Sequence, residues 1–160
     1  MDTTKKTIIL FSGDFDRVMA AFIIANGAAA MGDDVTIFFT FWGLNVLRRT
    51  EKVEPEDKKT TLQSMFGKMM PKGTRRLGLS KMNFAGLGGP MMRRATKDAG
   101  GMSLEALVQS AREQGVKFIA CTLSMDILGF TKDEIIDGVE YAGVAAYLGE
   151  ADEANVNLFI

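Results

Sequence analysis

The 160-residue chain has no histidine, and cysteine and tryptophan occur once each, as Cys121 and Trp42. Without histidine, a Ser-His-Asp or Cys-His mechanism is excluded, and so is a Cys/His zinc site. A single cysteine cannot form an intrachain disulfide, which is typical of proteins from reducing compartments. We therefore predict no metal site, and Cys121 is the only soft nucleophile available.

Long apolar runs are also missing. No stretch of about 18 uncharged apolar residues occurs, so we do not expect a membrane-spanning helix. The apolar run at residues 7–11 ends at Ser12-Gly13-Asp14 and is too short for a secretory signal. We therefore expect a cytoplasmic protein.

The composition, with 47% hydrophobic and 24% charged residues, is ordinary for a globular protein. The length predicts a single domain over residues 1–160, because compact domains usually have about 100–200 residues. Apolar and β-branched runs predict five strands that alternate with helical segments. They cover residues 7–12, 35–41, 116–121, 139–142 and 157–160. This alternation predicts a three-layer α/β domain with a mostly parallel five-stranded sheet.

The net charge of −1 hides an uneven distribution along the chain. Residues 58–97 carry ten basic and no acidic side chains, whereas the other 120 residues carry nine basic and twenty acidic ones, a net charge of −11. We call residues 58–101, which follow the second predicted strand, the insert. Such asymmetry bears on partners and association rather than on fold.

Within the insert, apolar residues spaced as one helical face predict a helix that Pro71 ends. They are Leu62, Met65, Phe66, Met69 and Met70. The glycine-rich residues 72–101 predict irregular structure with short helical turns. The Gly86–Pro90 run lacks the phosphate-loop pattern, and no dinucleotide fingerprint occurs, so we predict no cofactor.

Seven of the eleven methionines lie in or just after the basic segment, which leaves three interpretations of it. It is an oligomer contact, a docking surface for an acidic partner or an anionic membrane through residues 58–97, or a solvated flap. We favour the contact, because Met, Phe and Leu share one helical face. Nucleic acid is not expected as a partner, because the segment has only two aromatic residues and the pI is 5.5.

Candidate site residues lie where three predicted strands end, since ligands of parallel sheets bind beyond the carboxyl ends of the strands. The first strand ends at Ser12, Gly13 and Asp14, and the second at Trp42 and Gly43. The third ends at Cys121, followed by Thr122, Ser124 and Met125.

Cys121 has two interpretations. Because it closes a strand and precedes a helical turn, backbone N–H groups and the helix dipole would stabilise a thiolate there, and basic groups of the insert would add to this effect. Alternatively it is a buried, inert filler, since free cysteine is among the most buried residue types.

Four segments in this order resemble the DsrE/DsrF-like family, and more narrowly its longer DsrE-type subgroup with an insert after the second strand. They are Ser12–Arg17, Ala28–Gly32, Phe38–Gly43 and Cys121–Asp126. The resemblance implies a flavodoxin-like α/β/α fold, homo-oligomers (trimers or hexamers) and a role in sulfur trafficking. It also implies that Cys121 carries sulfur as a persulfide.

The resemblance predicts a sulfurtransferase or sulfur carrier. Cys121 would attack a donor persulfide and later surrender the terminal sulfur to an acceptor thiolate. With no second cysteine, the acceptor must be another protein or a small thiol. The alternative is a non-catalytic oligomeric binding module that docks through the basic, Met-rich insert.

Overall fold

The computed structural model describes residues 3–55 and 58–160. Its five strands are β1 (Lys5–Leu10), β2 (Asp34–Phe39), β3 (Lys117–Cys121), β4 (Glu140–Ala142) and β5 (Val156–Phe159). Its six α-helices are α1 (Phe15–Ala30), α2 (Thr61–Met69), α3 (Gly88–Asp98), α4 (Leu104–Glu113), α5 (Thr122–Leu128) and α6 (Val144–Asp152). Short 3-10 helices span Phe41–Leu47, Thr74–Arg76, Phe84–Gly86 and Lys132–Glu134.

The strands form one sheet in the order β4-β3-β2-β1-β5, and every neighbouring pair is parallel. β1 and β2 pair along their whole lengths, from Lys5 opposite Asp34 to Leu10 opposite Phe39. This all-parallel five-stranded sheet with helices on both faces confirms the predicted α/β class.

The larger core lies between the sheet and helices α1 and α4. The predicted stripe of Val18, Phe22 and Ala25 is fully buried there. The ring of Phe22 lies 5.7 Å from that of Phe118 on β3, in an edge-on arrangement. This face of the sheet is therefore thickly covered.

Among the described residues, the helix that covers the opposite face of the sheet is α6, which lies in the connection from β4 to β5. A small core lies beneath α6, made of Phe38, Ile119, Cys121 and Tyr147. Tyr147 is the one residue of α6 that is buried. The nine-residue helix is thus held by one buried side chain, by the packing of Ala151 on the small core, and by ion pairs from Glu150 to Lys5 on β1 at 2.8 Å and to Lys117 on β3 at 3.1 Å.

The structure differs from the prediction in the insert. The predicted irregular structure is wrong for Gly88–Asp98, which forms the 11-residue helix α3. Its Pro90 lies in the first helical turn, where the missing N–H costs no hydrogen bond. The helix predicted before Pro71 is confirmed as α2. Its apolar face is not covered, because no residue of α2 is buried and Met69 is 75% exposed.

Several side-chain contacts fasten the insert to the rest of the domain, and those of Arg48, Arg93 and Asp16 are described first. The guanidinium of Arg48 donates to the carbonyls of Gly67, Met70 and Pro71 and stacks on Phe130 at 4.4 Å. That of Arg93 in α3 donates to the Thr74 and Leu77 carbonyls and stacks on Phe15 at 4.2 Å. Asp16 of α1 accepts from the backbone N–H and the hydroxyl of Ser80.

Two contacts between the insert and the rest of the domain depend on carboxylates, those of Asp16 with Ser80 and of Glu134 with Lys59, so we expect acid to loosen the insert. Burial opposes ionisation of Asp16, but the Ser80 hydrogen bonds hold its pKa below its usual value. Burial likewise opposes ionisation of Glu134, and the bond from Lys59, 2.6 Å long, holds its pKa low. A lowered pKa stabilises the fold above the unfolded-state pKa of about 4, and this contribution is lost as the pH falls through the folded-state pKa.

We therefore expect the melting temperature to fall on acidification below about pH 4, and to fall less steeply when Asp16→Asn and Glu134→Gln are combined. Thermal denaturation across the pH range measures both slopes. Asp98→Asn, at an exposed carboxylate paired within α3, is the matched control and should keep the wild-type slope. Equal slopes in all three proteins would contradict the assignment.

Candidate functional site

Cys121 is the last residue of β3, as the sequence predicts, and it is also the N-cap residue of α5. Its side chain makes no hydrogen bond to the backbone of α5. It points to the thinly covered face of the sheet and is 6% exposed. The backbone donors expected around the sulfur are therefore not in contact with it, and its burial agrees with the alternative interpretation.

Tyr147 holds α6 over the small core that contains Cys121. Its ring packs on Phe38 with centroids 5.0 Å apart. Its hydroxyl lies 3.2 Å from the hydroxyl of Thr7 on β1. Access to the sulfur from this face is therefore controlled by how firmly α6 is held.

Some of the residues that follow Cys121 are buried in the protein interior, and some line a cleft. The hydroxyl of Ser124 is buried and lies 2.8 Å from that of Thr40, which joins the carboxyl ends of β2 and β3. Met125 packs into the larger core. Thr122 and Met125 also line a cleft beside α5.

This α5 cleft has a volume of about 590 Å³. It lies at the carboxyl ends of β3 and β4. From these two strands the chain continues to α5 on one face of the sheet and to α6 on the other, and ligands of parallel sheets usually bind at such a point. Lys58 and Lys59 of the insert line it, as do Lys132 and Tyr141. The Lys132 ammonium lies 4.9 Å from the Tyr141 ring centre, and burial raises the pKa of Tyr141.

The predicted basic groups thus reach the residue after Cys121, but they approach from the other side of the strand. Tyr141 belongs to the larger core, whereas Cys121 belongs to the small core under α6. The expected support of the thiolate by lysines of the insert is therefore not what the geometry shows.

A second depression, which we call the β1–β2 cavity, lies at the carboxyl ends of β1 and β2 and measures about 290 Å³. It brings together four of the residues singled out in the sequence, Ser12, Gly13, Asp14 and Trp42. Gly43 lies behind it, where a Cβ atom would approach the Leu10 carbonyl oxygen to 2.0 Å.

Backbone conformation presents Trp42 to this cavity. Phe41 has a φ of +46°, which is costly for a non-glycine residue. A Cβ atom at Gly13 would lie 2.7 Å from the Trp42 carbonyl oxygen, so the two strand ends touch backbone to backbone. The close backbone approaches at Gly13 and Gly43 and the conformation of Phe41 therefore fix where Trp42 lies in the cavity wall.

Asp14 precedes α1 as expected, but its carboxylate does not cap the helix. Instead, the Ser12 hydroxyl accepts the Asp14 backbone N–H at 3.0 Å and donates to the Asp14 carboxylate at 3.2 Å. The Arg17 guanidinium lies 3.8 Å from the same carboxylate. Both charges line the β1–β2 cavity.

Two polar residues that line this cavity, Arg17 and Asn45, are not among the site residues predicted from the sequence. The more deeply buried of the two is Asn45. It is 3% exposed, and its Oδ1 has no hydrogen-bond partner in the part of the chain that the structure describes. The available signal was a lone amide inside the apolar run Leu44–Leu47 directly after β2.

Within residues 3–55 and 58–160, no group of three or more His, Cys, Asp and Glu side chains is arranged to hold a metal ion. In the same ranges, no helix has the length and apolar character needed to cross a bilayer.

The fold and site define an all-parallel α/β domain with one cysteine at the carboxyl end of a central strand. A family model described as the DsrE/DsrF/DrsH-like family matches residues 2–159, and the chain belongs to that family.

Two relatives extend over essentially the whole chain. Uncharacterized protein YrkE of Bacillus subtilis (strain 168) is 55% identical over 158 residues, which cover 99% of this chain and 98% of YrkE. Sulfur carrier protein DsrE2 of Allochromatium vinosum is 37% identical over 164 positions, which cover 100% of both chains.

Two solved structures share the fold. The ychN protein from E. coli superposes with a TM-score of 0.56 at 13% identity, covering 99% of this chain and 100% of that one. MTH1491 from Methanobacterium thermoautotrophicum, a protein of unknown function, gives 0.58 at 16% identity, covering 98% and 99%.

Proposed function

We propose that the protein is a sulfur carrier that holds sulfur as a persulfide on Cys121. The observation that carries the proposal is the position of its one cysteine, at the carboxyl end of β3, in a chain that is 37% identical to a protein named as a sulfur carrier. Family membership over residues 2–159 supports a role in sulfur relay.

The transfer step is an exchange of sulfur between thiols. The Cys121 thiolate attacks the terminal sulfur of a donor R–S–SH, a new S–S bond forms, and the donor leaves as R–S⁻. Cys121 then carries S–SH, and an acceptor thiolate takes that terminal sulfur by the same exchange. No net oxidation occurs, so the step needs no cofactor.

Burial of Cys121 suits a carrier, because a persulfide under α6 is shielded from stray thiols in solution. Transfer then requires α6 to move. Most of this helix is solvent-exposed and it buries one side chain, so it opens locally once Tyr147 and the ion pairs from Glu150 to Lys5 and Lys117 are released, without unfolding of the sheet.

The partners in this proposal are a sulfur donor and a sulfur acceptor, either proteins or small thiols. A non-catalytic docking role for the insert is the second candidate, and exposed methionines around its basic side chains favour it. They include Met69, Met82 and Met91. We also propose a homo-oligomer, supported by the apolar residues exposed around α6, such as Val144 and Leu148.

Intact-protein mass spectrometry tests the role of Cys121. After incubation with glutathione persulfide, the wild-type protein should gain about 32 Da, the mass of one sulfur atom, and a reductant should remove it. Cys121→Ser should gain nothing. Ser124→Ala, which changes a buried neighbour and keeps the thiol, is the matched control and should still be loaded.

Two results would contradict the proposal. One is the same adduct on Cys121→Ser. The other is a wild-type protein that gains no mass, together with a Tyr147→Ala variant, in which the thiol is uncovered, that gains none either.

A further inference from the structure

We propose that the β1–β2 cavity binds a small zwitterion of the amino-acid type, with an ammonium and a carboxylate group on one carbon. Its identification as the sulfur-bearing member of that class, a cysteine-type persulfide, rests on the function proposed above. The binding itself does not.

The first argument is the unpartnered amide of Asn45. A buried polar atom without a hydrogen bond is costly, by about 1–3 kcal/mol, and such atoms are rare in folded proteins. Asn45 is 97% buried, lines the cavity, and its Oδ1 has no partner among the described residues. The oxygen itself is closed to solvent, so a small rotation of the Asn45 side chain toward the cavity would let a ligand N–H group satisfy it.

The second argument is the pair of opposite charges on the same wall. The Asp14 carboxylate and the Arg17 guanidinium lie 3.8 Å apart, longer than a hydrogen-bonded ion pair, and each is about half exposed. A simple anion would meet the Asp14 charge, and a simple cation would meet the Arg17 charge. A zwitterion meets both favourably, with its carboxylate toward Arg17 and its ammonium toward Asp14 and Asn45.

The third argument is size and wall chemistry. A volume of about 290 Å³ is at the small end of the range for ligand pockets and suits an amino acid rather than a nucleotide. Phe11 and Trp42 supply apolar surface for a short side chain. The close backbone approaches at Gly13 and Gly43 fix the position of this wall.

The place of the cavity in the sheet connects it to Cys121. The cavity lies at the ends of β1 and β2, and Cys121 ends β3, the next strand. Two strand spacings, about 10 Å, separate β1 from β3. A cysteine-type persulfide held by its amino and carboxyl groups would therefore be bound at the same end of the sheet as Cys121, whose sulfur lies on the opposite face under α6.

Trp42, the only tryptophan, lines the cavity, so its fluorescence reports binding directly. We expect S-methyl-L-cysteine, which cannot transfer sulfur, to change the emission saturably. N-acetyl-S-methyl-L-cysteine lacks the ammonium and S-methylcysteamine lacks the carboxylate, so each should bind at least about tenfold more weakly, the loss of one charged contact.

Arg17→Gln should weaken binding of S-methyl-L-cysteine by about tenfold, because it removes the partner of the carboxylate. Arg17 is exposed, so the variant should fold normally. Arg94→Gln is the matched control, at an exposed arginine of α3 far along the insert, and should bind as the wild type does.

Three results would overturn the inference. The first is no saturable change in Trp42 emission at millimolar ligand, which would mean that water alone fills the cavity. The second is equal binding of all three compounds, and the third is unchanged binding by Arg17→Gln. Loading of Cys121 with sulfur in a protein that fails these titrations would defeat the cavity inference alone. Binding of S-methyl-L-cysteine to a protein whose Cys121 never takes up sulfur would defeat the carrier proposal alone.

Discussion

Tyr147→Ala is expected to raise the rate at which Cys121 reacts with a thiol reagent by at least about tenfold, because α6 loses its one buried side chain. The change removes the packing on Phe38 and the hydroxyl contact with Thr7. Loss of a buried aromatic side chain costs about 3–5 kcal/mol, and here the loss falls on the helix that covers the sulfur. The open population, and with it the reaction rate, rises accordingly.

The measurement is the pseudo-first-order rate of reaction with an aromatic disulfide, compared with the rate for the protein unfolded in guanidinium. Asp152→Ala truncates an exposed polar side chain at the end of the same helix and serves as the control with a wild-type rate. If Tyr147→Ala reacted no faster than Asp152→Ala, α6 would not control access to the thiol.

Local patterns in the sequence were sufficient for most elements. The stripe of Val18, Phe22 and Ala25 predicted which face of α1 is buried. The Ser103 hydroxyl caps α4, directly before an apolar run. Thr131 and Glu134, three positions apart, form a capping box. Each of these features depends on residues a few positions apart, which is why the sequence displays them.

Features that depend on topology were not predictable in this way. Period-two alternation puts Ile119 and Cys121 on one face of β3, but the sequence does not show that α6 covers that face. This follows from the strand order, in which the chain crosses from β4 at one edge to β5 at the other. The buried state of Cys121 is a consequence of that crossing.

The insert shows the opposite difficulty, because its helices contribute little to the core. α3 begins at a Gly-Gly-Pro sequence and carries more charged than apolar residues after it, so propensity and periodicity both favoured a loop. What fixes these helices is a small number of distant polar contacts. The strongest candidate among them is Arg48, which comes directly after the 3-10 helix at the end of β2.

Arg48→Ala is therefore expected to lower the free energy of unfolding by about 2–4 kcal/mol, since charged hydrogen bonds each contribute about 1.5–3 kcal/mol. Arg48 is 2% exposed, and its guanidinium donates to three carbonyls at the end of α2, where the helix dipole favours positive charge. Without it, these carbonyls lose their donors, and the insert should open.

Guanidinium denaturation measures the loss of stability, and trypsin cleavage within the insert measures its opening. Arg49→Ala is the matched control, since the adjacent arginine pairs with the exposed Asp137 at 2.6 Å and should cost under about 1 kcal/mol. Faster cleavage in the insert of Arg48→Ala alone identifies Arg48 as its anchor. Equal stability and equal cleavage in the two variants would show that α2 is held by its contacts with α5 instead, through the bond from Gln63 to the Asp126 carbonyl.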